Sequence, residues 1–189
     1  MYNYNSIIKE DNEDIRKKST DLQLPLTSKD TEVLLLMNEY LKNGYDPKKA
    51  QELNIRPGVG LSAVQVDYLK RMFVIYVYDQ KNELKNFGVI NPKILSESEQ
   101  MCYLFGGEGC LSVDREVKGL VHRHKRIKVK YLEYNFETKE LKPTERYFSD
   151  YLAIIFQHEC DHLNGVLFYD HIDFKDPFTP KGNAEAIFV

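Results

Sequence analysis

The sequence predicts an α+β fold with largely antiparallel sheets around one buried helix. Most extended segments come after Arg71, and they precede a single apolar helical segment that begins near Asp150. Helices do not alternate with these strands, so the parallel βαβ units of an α/β protein are not expected. The helical segment is apolar nearly all round, which predicts that it lies in the core.

The first part of the chain has the pattern of two helices and a connection. Residues 12–18 form a short charged helical segment. Residues 28–42 carry apolar side chains at helical spacing, with Ser28 as the expected N-cap and Gly44 ending the helix. Residues 45–57 are polar and contain two prolines, which predicts a surface connection.

Strands are predicted wherever β-branched and aromatic residues cluster after the helical part. The segments are residues 72–78, 87–91, 117–134 and 141–148. Residues 79–82 have the composition of a turn, and Pro92 is expected to end the second strand.

Length and composition favour one domain that spans residues 1–189, with 42% hydrophobic residues to build a core. The net charge of −3 gives no general attraction to nucleic acid or to a membrane. Residues 1–9 lack the apolar stretch of a signal peptide, and no segment approaches the ~20 apolar residues of a membrane span. Three irregularly spaced cysteines do not indicate a disulfide framework. We therefore expect a cytoplasmic protein without a membrane partner.

The last predicted helix carries the most reactive side chains. Ser149 and Asp150 provide an N-cap and a first-turn acid, and Gly165 closes the segment.

His158 and His162 lie one helical turn apart, so both imidazoles can bind one divalent metal ion. Glu159 follows His158 directly, which puts its carboxylate where it can act as a base toward a metal-bound water. The alternative is that all three are hydrogen-bonded polar residues of a packing helix. Their spacing in a capped apolar helix favours the metal site.

Two histidines leave such a site incomplete, because a catalytic zinc-like ion usually has three protein ligands and a water. A third histidine further along would complete one protease-type site, but Phe168 occupies that position. Glu185 is the only glutamate after the motif, and it lies in a short tail. Cys160 points about 200° away from His158 around the helix. Cys110 remains, in a glycine-rich segment, either as a thiolate ligand or as a small buried apolar residue.

Three motifs together resemble the peptide deformylase family. They are Gly-Val-Gly-Leu-Ser-Ala-Val-Gln at residues 58–65, Glu-Gly-Cys-Leu-Ser at 108–112 and Gln-His-Glu-Cys-Asp-His-Leu-Asn-Gly at 157–165. The polar insertion before the first motif is similar to that of the longer, Gram-positive-type branch. The resemblance implies a metal-dependent hydrolase that removes the N-formyl group from the formylmethionine of nascent polypeptides and releases formate.

The resemblance also implies a role for each chemical residue. The implied metal ligands are Cys110, His158 and His162. Glu159 is expected to move a proton from the attacking water to the departing amine. The side-chain amide of Gln65 and the backbone N–H of Leu111 are expected to stabilise the oxyanion. Ferrous iron (Fe2+) is the implied native ion, and Zn2+, Ni2+ or Co2+ can substitute for it.

The substrate, an N-formylmethionyl nascent peptide, is expected to bind as an added strand where missing side chains let another backbone approach. The expected backbone contacts are Val59, Gly60, Gly107 and Gly109. The expected methionine pocket is formed by Val59, Tyr151, Ile154 and Ile155. A purely structural core role is the alternative for Ile154 and Ile155.

The chain departs from the family pattern at two positions. Ser62 replaces the more usual alanine, and Val64 replaces the more usual proline. Loss of proline restores a backbone N–H and frees φ, so a less rigid loop is expected. The resemblance further suggests a pair between Arg123 and Asp161 that would help to fix the metal helix.

Residues 118–130 contain six lysines and arginines, which allows a transient ribosome contact. The alternation at residues 127–131 favours a half-buried strand with its lysines in water, so no specific nucleic-acid site is expected. Two other functions stay open: an endoprotease, or a non-catalytic metal-stabilised binding module. Glu159 and Gln65 argue against the binding module, because a closed structural site needs neither.

Overall fold

Three α-helices and eight strands form the described part of the computed structural model, residues 1–79 and 81–189. The helices are α1 (Ser28–Gly44), α2 (Pro47–Glu52) and α3 (Asp150–His162). The strands are β1 (Gly60–Ser62), β2 (Met72–Tyr78), β3 (Leu84–Glu97), β4 (Met101–Leu104), β5 (Arg123–His124), β6 (Arg126–Tyr134), β7 (Leu141–Ser149) and β8 (Glu185–Ile187).

The strands form two sheets. The larger has the order β1-β2-β3-β6-β7, and every neighbouring pair is antiparallel. The smaller has the order β5-β4-β8, in which β4 is antiparallel to β5 and parallel to β8. The predicted α+β class with largely antiparallel sheets is confirmed. That residues 1–189 form one domain stays a prediction.

The N-cap of the first long helix, α1, lies one residue earlier than expected. The Thr27 hydroxyl accepts a hydrogen bond from the Asp30 N–H, and the Asp30 carboxylate accepts one from the Thr27 N–H. This reciprocal box makes Thr27 the N-cap, and the prediction of Ser28 was wrong. The helix ends at Gly44 as predicted, and its apolar face packs on the larger sheet.

Two segments near the start of the chain differ from their predictions. Residues 45–57 contain more regular structure than a surface connection, and residues 12–18 contain less than the predicted short helix. Within residues 45–57, Asp46 caps the short helix α2 and Pro47 occupies its first position. The predicted surface connection therefore contains a helix. Residues 12–18 contain a single 3₁₀ turn, Glu13–Arg16, whose Ile15 is buried.

Two predicted strand limits were wrong. Strand β3 continues through Pro92, because a bulge between Ile90 and Lys93 removes the need for a backbone donor there. Strand pairing in residues 117–134 begins only at Arg123. The turn predicted at residues 79–82 includes residue 80, which lies outside the described residues.

Helix α3 lies between the two sheets. Phe156 packs edge-on against Phe73 of β2, with ring centroids 5.1 Å apart. On its other side, Ile154 packs against Cys102 of β4 and Ile187 of β8. The predicted burial of this helix is confirmed. No helix in the described part of the chain is both long and apolar enough to cross a bilayer.

The end of α3 is fixed by Gly165, which has a φ of +74°. Its N–H donates to the His162 carbonyl, and the Val166 N–H donates to the Asp161 carbonyl, as in a Schellman motif. A Cβ at Gly165 would lie 2.1 Å from the Arg16 carbonyl oxygen, so no side chain fits here. The predicted closing role of Gly165 is confirmed.

Candidate metal centre

Cys110, His158 and His162 bring one sulfur and two imidazole nitrogens together. Their donor atoms all lie within 4.8 Å of one another, and Cys110 Sγ lies 3.2 Å from His162 Nε2. Helix α3 presents both imidazoles on one face, and the loop after β4 brings the thiol to them. A thiolate and two imidazoles suit a divalent transition metal, so the donor set fits the metal that the sequence predicts.

The other cysteine and acid considered from sequence lie elsewhere. Cys160 lies on α3 and packs into the apolar core, where burial raises the pKa of its thiol. Glu185 is exposed on β8 and pairs with Lys125. Phe168 stacks on the His158 ring, with centroids 6.3 Å apart.

The charges of the three donors depend on one another. Burial opposes ionisation of Cys110, but His162 and His158 lower the pKa of its thiol well below the usual value. Burial likewise opposes protonation of His158, but its contacts with Cys110 and Glu108 raise the pKa of the imidazole well above the usual value. Both shifts favour a thiolate beside a protonated imidazole, so a metal ion that binds here would displace a proton from the imidazole.

Glu108 orients His158, a role that sequence reasoning missed. Its Oε2 lies 2.8 Å from His158 Nδ1, so the imidazole keeps Nε2 for the metal side. The Glu108 side chain is only 3% exposed. The signal was present, since Glu108 stands in the same motif as Cys110, but spacing alone does not show which acid meets a histidine.

Arg123 neutralises this buried carboxylate. Its Nε and Nη2 donate to the two Glu108 oxygens at 2.8 and 2.9 Å, and its Nη1 donates to Asp161. Burial opposes ionisation of Glu108, but the Arg123 charge outweighs it and lowers the pKa of Glu108 to about 2. The suggested pair of Arg123 and Asp161 is present, and Glu108 extends it to the metal centre.

Glu159 is buried beside the donors, against strand β1. The Ser62 hydroxyl donates to its Oε2 at 2.7 Å. A Cβ at Gly60 would lie 2.3 Å from its Oε1, so the absent side chain makes room for the carboxylate. Burial raises the pKa of Glu159, although the two neighbouring imidazoles oppose the rise. The carboxylate is thus confined between two residues of one strand.

Gln65 lies in the buried 3₁₀ turn Ala63–Val66 with its amide orientation fixed. Its Oε1 accepts from the Ser62 N–H at 2.9 Å. Its Nε2 therefore faces the metal donors, 3.1 Å from Ser112 Oγ and 3.6 Å from Cys110 Sγ. Val64, in the same turn, is fully buried; a less rigid loop stays a prediction.

Leu111 is held by a residue from the start of the chain. The Lys9 ammonium donates to its carbonyl oxygen at 2.9 Å, across 102 positions of sequence. No sequence motif indicates this contact. It anchors the loop that carries Cys110.

A cavity of about 230 Å³ opens beside the donors. Its lining includes the chemical residues Gln65, Cys110, Leu111, His158 and Glu159. Six of the seven residues expected to bind substrate also line it: Val59, Gly60, Gly109, Tyr151, Ile154 and Ile155. The structure therefore brings nearly all predicted site residues to one concave surface.

Gly107 is the exception among the expected substrate contacts. Its φ is +79° and its N–H donates to the Leu104 carbonyl, so it closes a turn and lines a neighbouring groove. Leu104 and Arg56 line the cavity instead. Sequence reasoning missed both, because neither stands in one of the three motifs.

A family model described as polypeptide deformylase matches residues 4–177. The chain belongs to the peptide deformylase family. Peptide deformylase 2 of Bacillus cereus is 41% identical over 187 residues, which is 99% of each chain. The peptide deformylase of Staphylococcus epidermidis is 41% identical over 188 residues, covering 99% of this chain and all of its own. The Gram-positive likeness expected from sequence is confirmed.

Solved structures with a similar fold are also peptide deformylases. A Met-Ala-Ser-bound crystal structure of a class I type b peptide deformylase from Acinetobacter baumannii matches with a TM-score of 0.68 and 29% identity, covering 88% of this chain and 96% of its own. Peptide deformylases are metal-dependent enzymes that remove the N-formyl group of nascent chains. The function predicted from the three motifs is therefore confirmed, and the endoprotease and binding-module alternatives are not.

Proposed function

We propose that Cys110, His158 and His162 hold one divalent metal ion at which this deformylase removes the formyl group of nascent chains. The observation that carries the proposal is the convergence of a thiolate and two imidazole nitrogens within 4.8 Å, beside a cavity. Glu159 and Gln65 belong to the same lining. A structural metal site has no need of a cavity or of an unligated buried carboxylate.

The protein residues then divide the work of amide hydrolysis. When bound, the metal supplies a Lewis acid that makes a water more acidic and polarises the formyl carbonyl. Glu159 accepts the proton of the attacking water and delivers it to the departing amine nitrogen. The Gln65 amide and the Leu111 backbone N–H donate to the formyl oxygen as negative charge develops on it. The products are formate and a free N-terminal methionine.

Ferrous iron is our proposal for the native ion, with zinc, nickel or cobalt as substitutes. The thiolate supports iron or zinc over harder ions such as magnesium, because soft ligands prefer these metals. The ligand set does not discriminate further, so metal content has to be measured.

The formylmethionyl peptide binds along strand β1 in this proposal. Among the described strands, β1 has a partner only in β2, so one of its edges can pair with an extended peptide. The methionine side chain enters the apolar part of the cavity, at Tyr151, Ile154 and Ile155. Both isoleucines are also core residues, with 2% and 4% of their surface exposed, so they offer the substrate only an edge.

We further infer that the enzyme works in the cytoplasm, where a thiolate ligand stays reduced and nascent chains are made. The basic segment supports a solvated surface more than a nucleic-acid site. Arg123 is buried in ion pairs, while Lys118, Lys125 and Lys128 each pair with an acid. A transient ribosome contact stays a prediction.

Hydrolysis measured with defined metals tests the proposed function. Protein prepared without oxygen is loaded with iron, zinc, nickel or cobalt and given formyl-Met-Ala-Ser, with acetyl-Met-Ala-Ser as the control. We expect formate release in proportion to bound metal, and little cleavage of the acetyl peptide. Absence of formate release from every metal form would contradict the proposal. So would a Cys110→Ala variant that keeps a full complement of metal.

A further inference from the structure

Strand β1 presents two of its three residues to Glu159. Side chains alternate along a strand, so Gly60 and Ser62 face the same side. That side meets α3, whereas Leu61 points the other way into the core around α1. Residue 62 is therefore directed at the carboxylate that the proposed function uses for proton transfer.

The Ser62 side chain is fully buried, and its acceptors among the described residues all belong to Glu159. Its Oγ lies 2.7 Å from Oε2 and 3.1 Å from the backbone oxygen of Glu159. A hydroxyl has one proton to donate, and the shorter contact to a carboxylate is the stronger bond. The backbone oxygen has another donor, the Leu163 N–H at 3.3 Å.

We propose that Ser62 is a positioning residue for proton transfer by Glu159. Its hydroxyl engages Oε2 and holds the carboxylate against Gly60, which leaves Oε1 as the oxygen that takes up and releases the proton. The bond persists in both states of the cycle, because Oε2 accepts it whether or not Oε1 carries a proton. The family's more usual alanine at this position has no such donor. This inference rests on the proposed function.

The hydroxyl and the backbone N–H of Ser62 have different partners, so their roles can be tested separately. The Ser62 N–H orients Gln65, and every amino acid except proline supplies that donor. Only the hydroxyl reaches Glu159. Ser62→Ala therefore removes the contacts with Glu159 and keeps the hydrogen bond to Gln65. Ser19 provides a matched control, since it is also buried but its Oγ has no hydrogen-bond partner among the described residues.

Steady-state kinetics of four zinc-loaded variants test the proposal: Ser62→Ala, Glu159→Ala, the double variant and Ser19→Ala. We expect Ser62→Ala to lower kcat about tenfold, with KM unchanged within about twofold and one zinc per chain. In the Glu159→Ala background the same substitution should change kcat by less than about twofold, because there is no carboxylate left to position. Ser19→Ala should keep the wild-type kcat. Crystals of zinc-loaded Ser62→Ala should show the Glu159 carboxylate in more than one orientation.

Each other outcome overturns a specific statement. A Ser62→Ala enzyme with wild-type kcat would overturn the positioning role, and so would an equal loss of kcat in both backgrounds. A wild-type kcat in Glu159→Ala would overturn the proposed function itself, and the role of Ser62 with it. A lowered kcat in Glu159→Ala beside an unchanged Ser62→Ala would leave the proposed function intact.

Discussion

Arg123 and Glu108 form a buried ion pair with two hydrogen bonds directly behind His158. Both side chains are only 3% exposed. Such a pair contributes little when intact, because desolvation offsets the attraction, but removing one member leaves the other charge buried and less well compensated. The pair thus makes the orientation of one proposed metal ligand dependent on a residue of the neighbouring sheet.

Replacing Glu108 by glutamine should weaken both the fold and the metal site. Arg123 would lose the carboxylate that accepts two of its hydrogen bonds, so we expect the free energy of unfolding to fall by about 3 kcal/mol. Zinc affinity should fall about 10- to 100-fold, because Nδ1 of His158 loses its carboxylate. Urea unfolding of the metal-free protein and competition with a chelator measure the two effects.

The matched control is Glu10→Gln. Glu10 makes the same two-bond contact, at 2.9 and 3.1 Å, with Arg115, but that arginine is 55% exposed. An exposed pair contributes at most about 1 kcal/mol. Equal losses of stability in the two variants would show that burial of the pair near His158 has no special effect.

The Glu108 carboxylate should make the stability of the metal-free protein pH-dependent. Folding lowers the pKa of Glu108 to about 2, so folding favours its charged form. Its contribution is complete above the ordinary glutamate value of about 4.3 and is lost as the pH falls toward 2. Between pH 6 and pH 3, the free energy of unfolding should therefore fall more steeply for the wild type than for Glu108→Gln. Parallel curves would contradict the assignment.

Cys110→Ala should abolish metal binding while the other cysteines are dispensable for it. Without the thiolate only two imidazoles remain, and we expect less than about 0.1 zinc per chain after dialysis. Cys160→Ala, on the metal-bearing helix itself, and Cys102→Ala should each retain one zinc. Metal analysis of the three proteins in parallel decides the matter, and loss of zinc from Cys160→Ala would point to an indirect effect of helix packing.

Gly60→Ala should inactivate the enzyme without unfolding it. The new Cβ would overlap Oε1 of Glu159, at 2.3 Å, so the carboxylate has to leave its position. A displacement of about 1 Å lowers kcat by about 100-fold. Gly106→Ala is the control, since its added Cβ meets nothing within 4 Å. Formate release by both variants, with circular dichroism to verify folding, measures the difference. Wild-type kcat in Gly60→Ala would show that the carboxylate has more room than its contacts indicate.

Sequence alone predicted the elements whose own residues determine them. Helix α3 has its apolar surround, its first-turn acid and Gly165 within one segment, and β2 is a continuous run of β-formers. Side chains that act across the fold were harder to predict. Glu108 contacts His158 from the loop after β4, where Arg123 of β5 holds it in place.

Predictions from local sequence were also wrong or incomplete where contacts with other parts of the fold determine the structure. Pro92 is expected to end a strand, but the bulge beside it lets β3 continue. Gly60 was assigned to substrate approach, and the structure gives a further reason for it, since Glu159 from α3 fills its missing side-chain volume. Lys9 and Leu111 are 102 positions apart and share no motif, so their contact could not be predicted from sequence.

The distance along the chain between Cys110 and His162 has a consequence for when an ion is captured. Their donor atoms meet across 52 positions of sequence. Closing a loop of that length costs entropy before any coordinate bond forms. An isolated helical turn offers two imidazoles, which bind a cation far more weakly than two imidazoles and a thiolate together. We therefore expect ion uptake to follow chain collapse, so the amount of bound ion would measure the fraction of molecules that have finished folding.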